Sequence, residues 1–515
     1  MGFVDWSAAR FERTCASVAR LLDEHPVAAW GLFSLFYFGA AAWRASRKAF
    51  WFDELVTLHV CRLPSMSQVW AAFEEGADAM PPLLHLLTRA SIWVFGEGHI
   101  SARVPAMLGI WLTCLCLYLF VRRHCPAVYG WVAASTMALF MGLSTYSEEA
   151  RSYGLLMGFT GLALLCWQSA TGRRRRLWLC GLASSVAAAI FSHSMAVMVV
   201  AVLGLGELAR AYLRRKLDWP VLAALLVGGS VILFLVPGGM ASAAAYSASH
   251  WARPDLIRIP GAYRFLFEPL ALPLSIALVL AGVWWSLRAP NRPAPAEPPV
   301  WRMPAAEAAM AVALLLLPVL TGMVAFITGI FTARYTLPAL TGFSIMGAYL
   351  SRSVERAGRT LAVVVVAVFL LGWLALDTAR RPPLWEAAPV SEWAGASRLH
   401  GELPIVVDGP LTFLQKAHYA PEDVAPRLVF LADAARAYRA FAGGSATTGL
   451  VLLARWAPLR VEQPEAFLAR HRRFYLMGTD WLEAWLRGEL LESRASVRLV
   501  GAGNYGELYL VETDR

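Results

Sequence analysis

The feature that most constrains this chain is a succession of apolar runs, each near bilayer-crossing length, separated by loops in which arginine clusters recur at every second position. Eleven such runs fall at Val27–Trp43, 104–121, 127–146, 153–169, 177–192, 194–208, 219–236, 269–287, 305–330, 336–350 and 360–377. A helix needs about 20 residues to cross about 30 Å of hydrocarbon, so the shorter runs mark spans whose ends lie a few residues outside the apolar stretch. The basic clusters are Arg122-Arg123, Arg173 to Arg176, Arg214-Arg215-Lys216, Arg288 with Arg292 and Arg302, and Arg352 with Arg356 and Arg359. Their alternation places these loops and the N-terminus in the cytoplasm. An odd number of spans then carries the last segment, 378–515, to the opposite side.

Residues 1–25 are amphipathic and mixed in charge, unlike the short basic start of a cleavable signal peptide, and read as a cytoplasmic N-terminal segment. Only 16% of the chain is charged and 58% is hydrophobic, which excludes an ordinary cytosolic enzyme. The net charge of +10 does not point to nucleic acid, because the basic residues sit between apolar runs as membrane topology requires. Seven cysteines without a CxxC pair form neither a disulfide framework nor a zinc site, and act as small apolar packers. The Pro-rich stretch Arg288–Pro304 reads as a cytoplasmic linker.

From 378 onward short β-prone runs (Ile405–Val407, Leu428–Phe430, Phe474–Leu476, Leu508–Val511) alternate with Ala- and Arg-rich helical stretches. The expected architecture is therefore a polytopic α-helical membrane domain over 26–377, with about eleven transmembrane helices, and a soluble α/β domain over 378–515 on the outer side.

Several polar islands break the membrane pattern. The first outer loop, 44–102, is long and opens on Phe50-Trp51-Phe52-Asp53-Glu54, an acidic pair inside an aromatic cluster. Acids at a membrane boundary carry a desolvation cost, which makes the pair a functional candidate against the alternative of solvated interfacial acids. Arg44, Arg47 and Lys48 stand just before it, against the charge rule; they either snorkel or hold an anionic group such as a lipid phosphate. Asp78-Ala79-Met80-Pro81-Pro82-Leu83 follows, with the double proline expected to start a helix along the membrane surface. Further islands are Ser147-Glu148-Glu149-Ala150-Arg151-Ser152-Tyr153, then Ser192-His193-Ser194, then Phe331-Thr332-Ala333-Arg334-Tyr335. A Glu149/Arg151 pair can neutralise itself, and a lone histidine such as His193 is more often a hydrogen-bonded structural residue than a ligand. By the loop count all these islands face the same, non-cytoplasmic side.

The ordered series Trp51-Phe52-Asp53-Glu54, Asp78-Ala79-Met80-Pro81-Pro82-Leu83, Phe95-Gly96, Ser101-Ala102-Arg103-Val104-Pro105, Glu149-Ala150-Arg151-Ser152-Tyr153, His193 and Arg334-Tyr335 resembles that of the GT-C glycosyltransferases. The likeness is to bacterial family 39 enzymes related to protein O-mannosyltransferases and aminoarabinose transferases, and it is strongest over about 50–200. Two positions depart from the family pattern: many relatives have His where Met80 stands, and Pro where Ser152 stands. The resemblance implies transfer of a sugar from a polyprenyl-phosphate-linked donor on the periplasmic face of a bacterial inner membrane. An envelope glycan, lipid or protein would be the acceptor, and the base would come from the first large loop. It places that base at Asp53.

The residues read for themselves supply matching chemistry. A carboxylate within reach of an acceptor hydroxyl removes its proton as attack proceeds, and fixed cations stabilise a departing lipid phosphate. Asp53 is the expected base of an inverting transfer. Arg151, Tyr153, Arg334 and Tyr335 are expected at the donor phosphate or sugar; Glu54 and Asp78 are second choices for acceptor or metal binding; Arg47, Lys48, Glu149 and His193 complete the candidates. No metal is assigned, although two carboxylates have the chemistry to hold Mg²⁺ or Mn²⁺. The C-terminal domain is expected to shape acceptor access rather than carry the chemistry, with Asp408 and His418 in ordinary loop contexts. A transporter or flippase of a lipid-linked or anionic substrate is the rival class, and a non-catalytic membrane scaffold a third.

Overall fold

A computed structural model describes residues 3–143, 145–246, 252–288, 303–354, 359–379, 402–441, 443–478, 484–493, 495–503 and 506–513. The expected linker at Arg288–Pro304 and the start of the expected C-terminal domain, 380–401, lie almost wholly outside the described residues. The membrane domain comprises α1 (Phe3–Glu24), α2 (Pro26–Arg47), α3 (Phe52–Cys61), α4 (Met66–Glu74), α5 (Pro82–Phe95), α6 (His99–Arg122), α7 (Ala127–Leu143), α8 (Tyr153–Ser169) and α9 (Arg175–Ser192). It continues with α10 (Val197–Arg214), α11 (Trp219–Gly229), α12 (Ile232–Tyr246), α13 (Arg258–Arg288), α14 (Ala305–Leu315), α15 (Leu317–Thr328), α16 (Ala339–Val354) and α17 (Thr360–Ala379).

Every apolar run is helical, as a single helix or as a pair, and the protein is a multi-pass membrane protein. Five segments are individually long and apolar enough to cross a bilayer: Pro26–Arg47, His99–Arg122, Ser194–Arg214, Trp219–Tyr246 and Arg258–Ala281. The pair α14 and α15 makes a sixth, bent by 49°. Pro318 stands in the first turn after the break, where its missing N–H and ring clash interrupt the ladder. The remaining runs give shorter helices; a 17-residue helix such as α8 is about 25 Å long. Several expected boundaries move, with α2, α10 and α12 running on to Arg47, Arg214 and Tyr246. α13 begins at Arg258 rather than 269, and α6 at His99 rather than 104, because charged residues at the helix starts hide the continuation from a hydropathy reading.

α6 and α8 form the tightest helix pair of the core. A Cβ on Gly109 would lie 2.1 Å from the Gly154 carbonyl oxygen, and one on Gly158 would lie 2.7 Å from the Gly109 carbonyl oxygen. Only glycine permits this backbone approach, which is a small-residue crossing of the kind membrane helices favour.

The C-terminal domain contains β1 (Ile405–Val407), α18 (Pro410–Tyr419), β2 (Leu428–Leu431), α19 (Ala434–Phe441), α20 (Ser445–Leu453), β3 (Val461–Glu462), α21 (Pro464–Arg470), β4 (Arg473–Gly478), α22 (Leu486–Glu492), β5 (Ser496–Gly503) and β6 (Gly506–Glu512). The strand order is β3-β2-β1-β4-β6-β5, parallel from β3 to β4 and antiparallel beyond. Alternate residues face opposite layers. Val406, Val429, Phe474 and Leu476 pack under Ala437, Phe467 and Leu490, whereas Ile405, Val407, Leu428 and Phe430 face a different set of helices.

That second layer is shared with the membrane domain. Leu55, Leu58 and Val60 of α3 lie in the same apolar cluster as Phe413, Leu414, Leu450 and Leu453. Around its edge the Tyr419 hydroxyl accepts the Phe50 N–H at 2.7 Å and lies 2.9 Å from His99 Nε2, and Gln415 Nε2 donates to the Phe50 carbonyl at 3.0 Å. The C-terminal domain is therefore part of the support of α3, a closer integration than an appended access domain. Asp408 is not in an ordinary loop context: it is buried, its two oxygens accept the N–H groups of Leu486 and Arg487 at 3.1 and 2.8 Å, and burial pushes its carboxyl up to about 6. His418 lies within α18 rather than in a loop.

Candidate functional site

The site is assembled where α2, α3, α6 and the loop before α8 meet. Asp53 and Glu54 occupy the first turn of α3, where negative charge complements the helix N-terminus. The pair is helical, not extended, so successive side chains diverge by about 100° and enter different surroundings.

Glu54 is fully buried, and protein donors occupy both its oxygens. Oε1 accepts Arg103 Nε and the Ala150 N–H, each at 2.7 Å; Oε2 accepts Arg103 Nη2 at 2.8 Å and the Trp51 N–H at 3.0 Å. Arg103 in turn donates to the carbonyls of Ala45, Lys48 and Ala49 at 2.7, 2.8 and 3.0 Å, which satisfies the C-terminal end of α2. Burial alone would raise the Glu54 carboxyl, but the Arg103 charge and hydrogen bonds outweigh it and hold the group below its ordinary range. Glu54 is thus corrected from an acceptor or metal ligand to the tie that fixes Asp53, beside it in sequence, and Arg151, which follows Ala150.

Asp78 is corrected in the same way. Its Oδ1 accepts the Met80 N–H at 3.0 Å, and its Oδ2 meets His85 Nε2 at 3.0 Å and the Thr57 hydroxyl at 3.4 Å, with Arg151 Nη1 at 3.6 Å. Burial opposes ionisation, yet the Arg151 charge and the His85 bond keep its carboxyl low. It anchors the turn before α5, which starts at Pro82 with proline in the first turn as expected. Among the described residues, no three or more His, Cys, Asp or Glu side chains are grouped to hold a metal ion.

Asp53 keeps its carboxylate partly open, at 24% side-chain exposure. Its Oδ2 lies 3.5 Å from Arg334 Nη1 and 3.9 Å from Arg151 Nε. Arg151 is buried, and its Nη1 donates to the Asp53 carbonyl at 3.0 Å and to Thr57 at 3.1 Å. Arg334 comes from a short turn, Ala333–Thr336, and its guanidinium lies 5.7 Å from the centre of the Tyr153 ring. Tyr153 contacts Tyr146 and His193 at ring distances of 5.0 and 5.6 Å, and His193 meets Tyr335 at 5.0 Å. The structure therefore brings Asp53, Arg151, Tyr153, His193, Arg334 and Tyr335 together.

Arg44 and Arg47, which lie in the last turn of α2 rather than in the expected loop 44–102, Lys48 and Glu149 have other partners. Arg44 pairs with Glu148 at 2.6 Å, and Lys48 with Glu149 at 3.2 Å. Arg47 is exposed and stacks over Trp43 at 3.8 Å. Lys48 and Glu149 thus neutralise each other at the rim, in place of the Glu149/Arg151 pairing. The two departures from the family pattern touch: the Ser152 hydroxyl donates to the Met80 sulfur at 3.0 Å.

Sequence reasoning gave no role to Arg103, His85 or Thr57. An arginine at the mouth of an apolar run was the signal for the first, since a charge there needs a partner. Nothing local marked His85, seven residues from Asp78.

Beside the polar cluster an apolar cavity of about 360 Å³ runs between α5, α6 and α8, lined by Leu87, Phe95, Leu108, Leu155 and Phe159 among others. Leu155 stands two residues into α8 from Tyr153, so the cavity begins within one helical turn of the aromatic group.

Residues 79–237 match the family described as dolichyl-phosphate-mannose-protein mannosyltransferase. The chain is similar in structure to ArnT from Cupriavidus metallidurans in the apo state, with a TM-score of 0.55 and 15% identity over 94% of this chain and 97% of that one. The same protein bound to undecaprenyl phosphate matches with a TM-score of 0.55 and 14% identity, over the same shares. No curated protein matches the chain. The expected architecture, a polytopic helical membrane domain with a C-terminal α/β domain, is the fold found, and it is similar to that of ArnT.

Proposed function

We propose that this protein is an inverting membrane glycosyltransferase that moves a sugar from a polyprenyl-phosphate donor to a hydroxyl acceptor on the extracytoplasmic face, with Asp53 as the general base. The observation that carries this reading is the position of Asp53: the partly open carboxylate of the cluster, within 4 Å of two arginines. The apolar cavity beside α8 suits the lipid tail.

The acceptor oxygen attacks the anomeric carbon as Asp53 takes its proton. The bond from that carbon to the phosphate oxygen breaks, and its electron pair leaves with the lipid phosphate. A phosphodiester with one negative charge becomes a monoester carrying nearly two at neutral pH. Arg334 and Arg151 face that gain of charge, and a water-poor site strengthens their effect. The motif resemblance supports a lipid-linked sugar donor and a hydroxyl acceptor as classes, and the loop charges support the extracytoplasmic orientation.

Purified protein in lipid nanodiscs, supplied with undecaprenyl-phosphate-linked sugars, tests the reading. Release of undecaprenyl phosphate together with a glycosylated acceptor, both followed by mass spectrometry, is the expected result. Vectorial movement of an intact lipid-linked sugar without bond cleavage would favour the transporter class instead.

A further inference from the structure

His193 ends the helix α9 in extended geometry (φ −156°, ψ 117°) and caps the short turn Ser194–Ala196 that leads into α10. Its Nδ1 accepts the Met195 N–H at 3.2 Å. A nitrogen that accepts a hydrogen bond carries no proton, so the ring is neutral and its hydrogen resides on Nε2. His193 is 1% exposed, and Nε2 is buried with no hydrogen-bond partner among the described residues. Burying an unpaired N–H is costly, and such groups in a folded protein call for an explanation.

The location supplies one. The ring sits between Tyr153, 5.7 Å from the Arg334 guanidinium, and Tyr335, which follows Arg334 in sequence, and within the field of both Arg151 and Arg334. Arg151 Nε is a second buried N–H there without a hydrogen-bond partner among the described residues. A base needs a free lone pair, and so does a metal ligand; on His193 the lone pair of Nδ1 is spent and Nε2 carries the hydrogen. What remains is hydrogen-bond donation.

We infer that His193 is a neutral hydrogen-bond donor, through Nε2–H, to the phosphate of the polyprenyl-phosphate substrate, acting beside Arg334. This rests on the function proposed above and adds a named, uncharged contact to the phosphate site. Donation to an anion aids binding and strengthens as charge gathers on the leaving phosphate.

The test measures binding of undecaprenyl phosphate and of uncharged undecaprenol to the full-length protein in nanodiscs. H193N keeps an acceptor for the Met195 N–H but has no donor at the Nε2 position; H193Q restores an amide N–H near that position. H193N should lose undecaprenyl-phosphate affinity by about tenfold to a hundredfold, the worth of a hydrogen bond to a charged group, with undecaprenol affinity and melting temperature unchanged. H193Q should recover most of the loss. H193F, which keeps an aromatic ring between the tyrosines and lacks both nitrogens, carries the same expectation as H193N if the latter does not fold. Undiminished phosphate affinity in the donor-less variants overturns the assignment, as does an equal loss for both lipids. R334A separates the two claims: if it loses phosphate affinity and H193N does not, only the role of His193 fails. If the native protein binds undecaprenyl phosphate no better than undecaprenol, the proposed function fails as well.

Discussion

Glu54 and Arg103, 49 residues apart in the chain, form a two-bond ion pair with no exposed side-chain surface, and Ala150 closes on the same carboxylate. One buried pair thereby sets the distance between the acid at position 53 and the arginine at position 151. Ions so buried are specified by their partners, and removing one charge leaves the other stranded.

Glu54→Gln should therefore destabilise the fold by about 3–5 kcal/mol, read as a fall in detergent-solubilised melting temperature. The pH dependence has a definite sign. The Glu54 carboxyl titrates below its ordinary value of 4.5 in the folded protein, so its contribution is fully present above that pH and is lost as pH falls through the lower folded value. Native protein should lose stability on acidification below about 4.5, and E54Q, already lower, should lose less. A melting temperature unaltered by E54Q at neutral pH would contradict the assignment.

Asp53→Asn keeps the shape of the side chain and removes the proton acceptor. Turnover should fall by about 10²-fold or more, the usual contribution of a general base. Undecaprenyl-phosphate affinity should not fall, because the substitution also removes a negative charge beside the phosphate site. Near-native turnover in folded D53N protein would exclude Asp53 as the base.

The two arginines should separate. Arg334 has 30% side-chain exposure, and the only carboxylate among its described salt-bridge partners is Asp53, whereas Arg151 also binds Thr57, the Asp53 backbone and the edge of Asp78. Arg334→Ala should weaken undecaprenyl-phosphate binding by about 1.5–3 kcal/mol with little change in melting temperature. Arg151→Ala should lower both binding and stability. Calorimetric titration and thermal unfolding on the same samples distinguish the outcomes.

Truncation after about 380 removes the partners of Leu55, Leu58 and Val60. Exposing such side chains costs about 1.5–3 kcal/mol each, enough to unseat the helix that carries Asp53. The truncated protein should lose turnover and show faster proteolysis within 52–74; retained turnover would mean that α3 stands without the C-terminal domain.

The eleven apolar runs and the alternating loop charges predict that the C-terminal segment lies outside the cytoplasm. A periplasm-active reporter fused after Arg515 should be active, and a cytoplasm-active one silent.

The succession of apolar helices, and the polar islands that interrupt them, were legible in the sequence because hydropathy and loop charge are local properties. The start of α5 at Pro82 and the gathering of Asp53, Arg151 and Arg334 also followed from motif and topology. What the sequence could not decide is which of two adjacent acids would be free. Asp53 and Glu54 are chemically alike in a one-dimensional reading; Glu54 is fully enclosed only because Arg103, Ala150 and Trp51 arrive at its oxygens from three places in the chain. Asp78 is enclosed by His85 and Thr57 for the same reason, and α3 is held by a sheet that begins some 340 residues after it. Local pattern determines where a charge enters the membrane boundary; only tertiary contacts, whose partners are distant in sequence, determine whether that charge is spent on structure or left for a substrate.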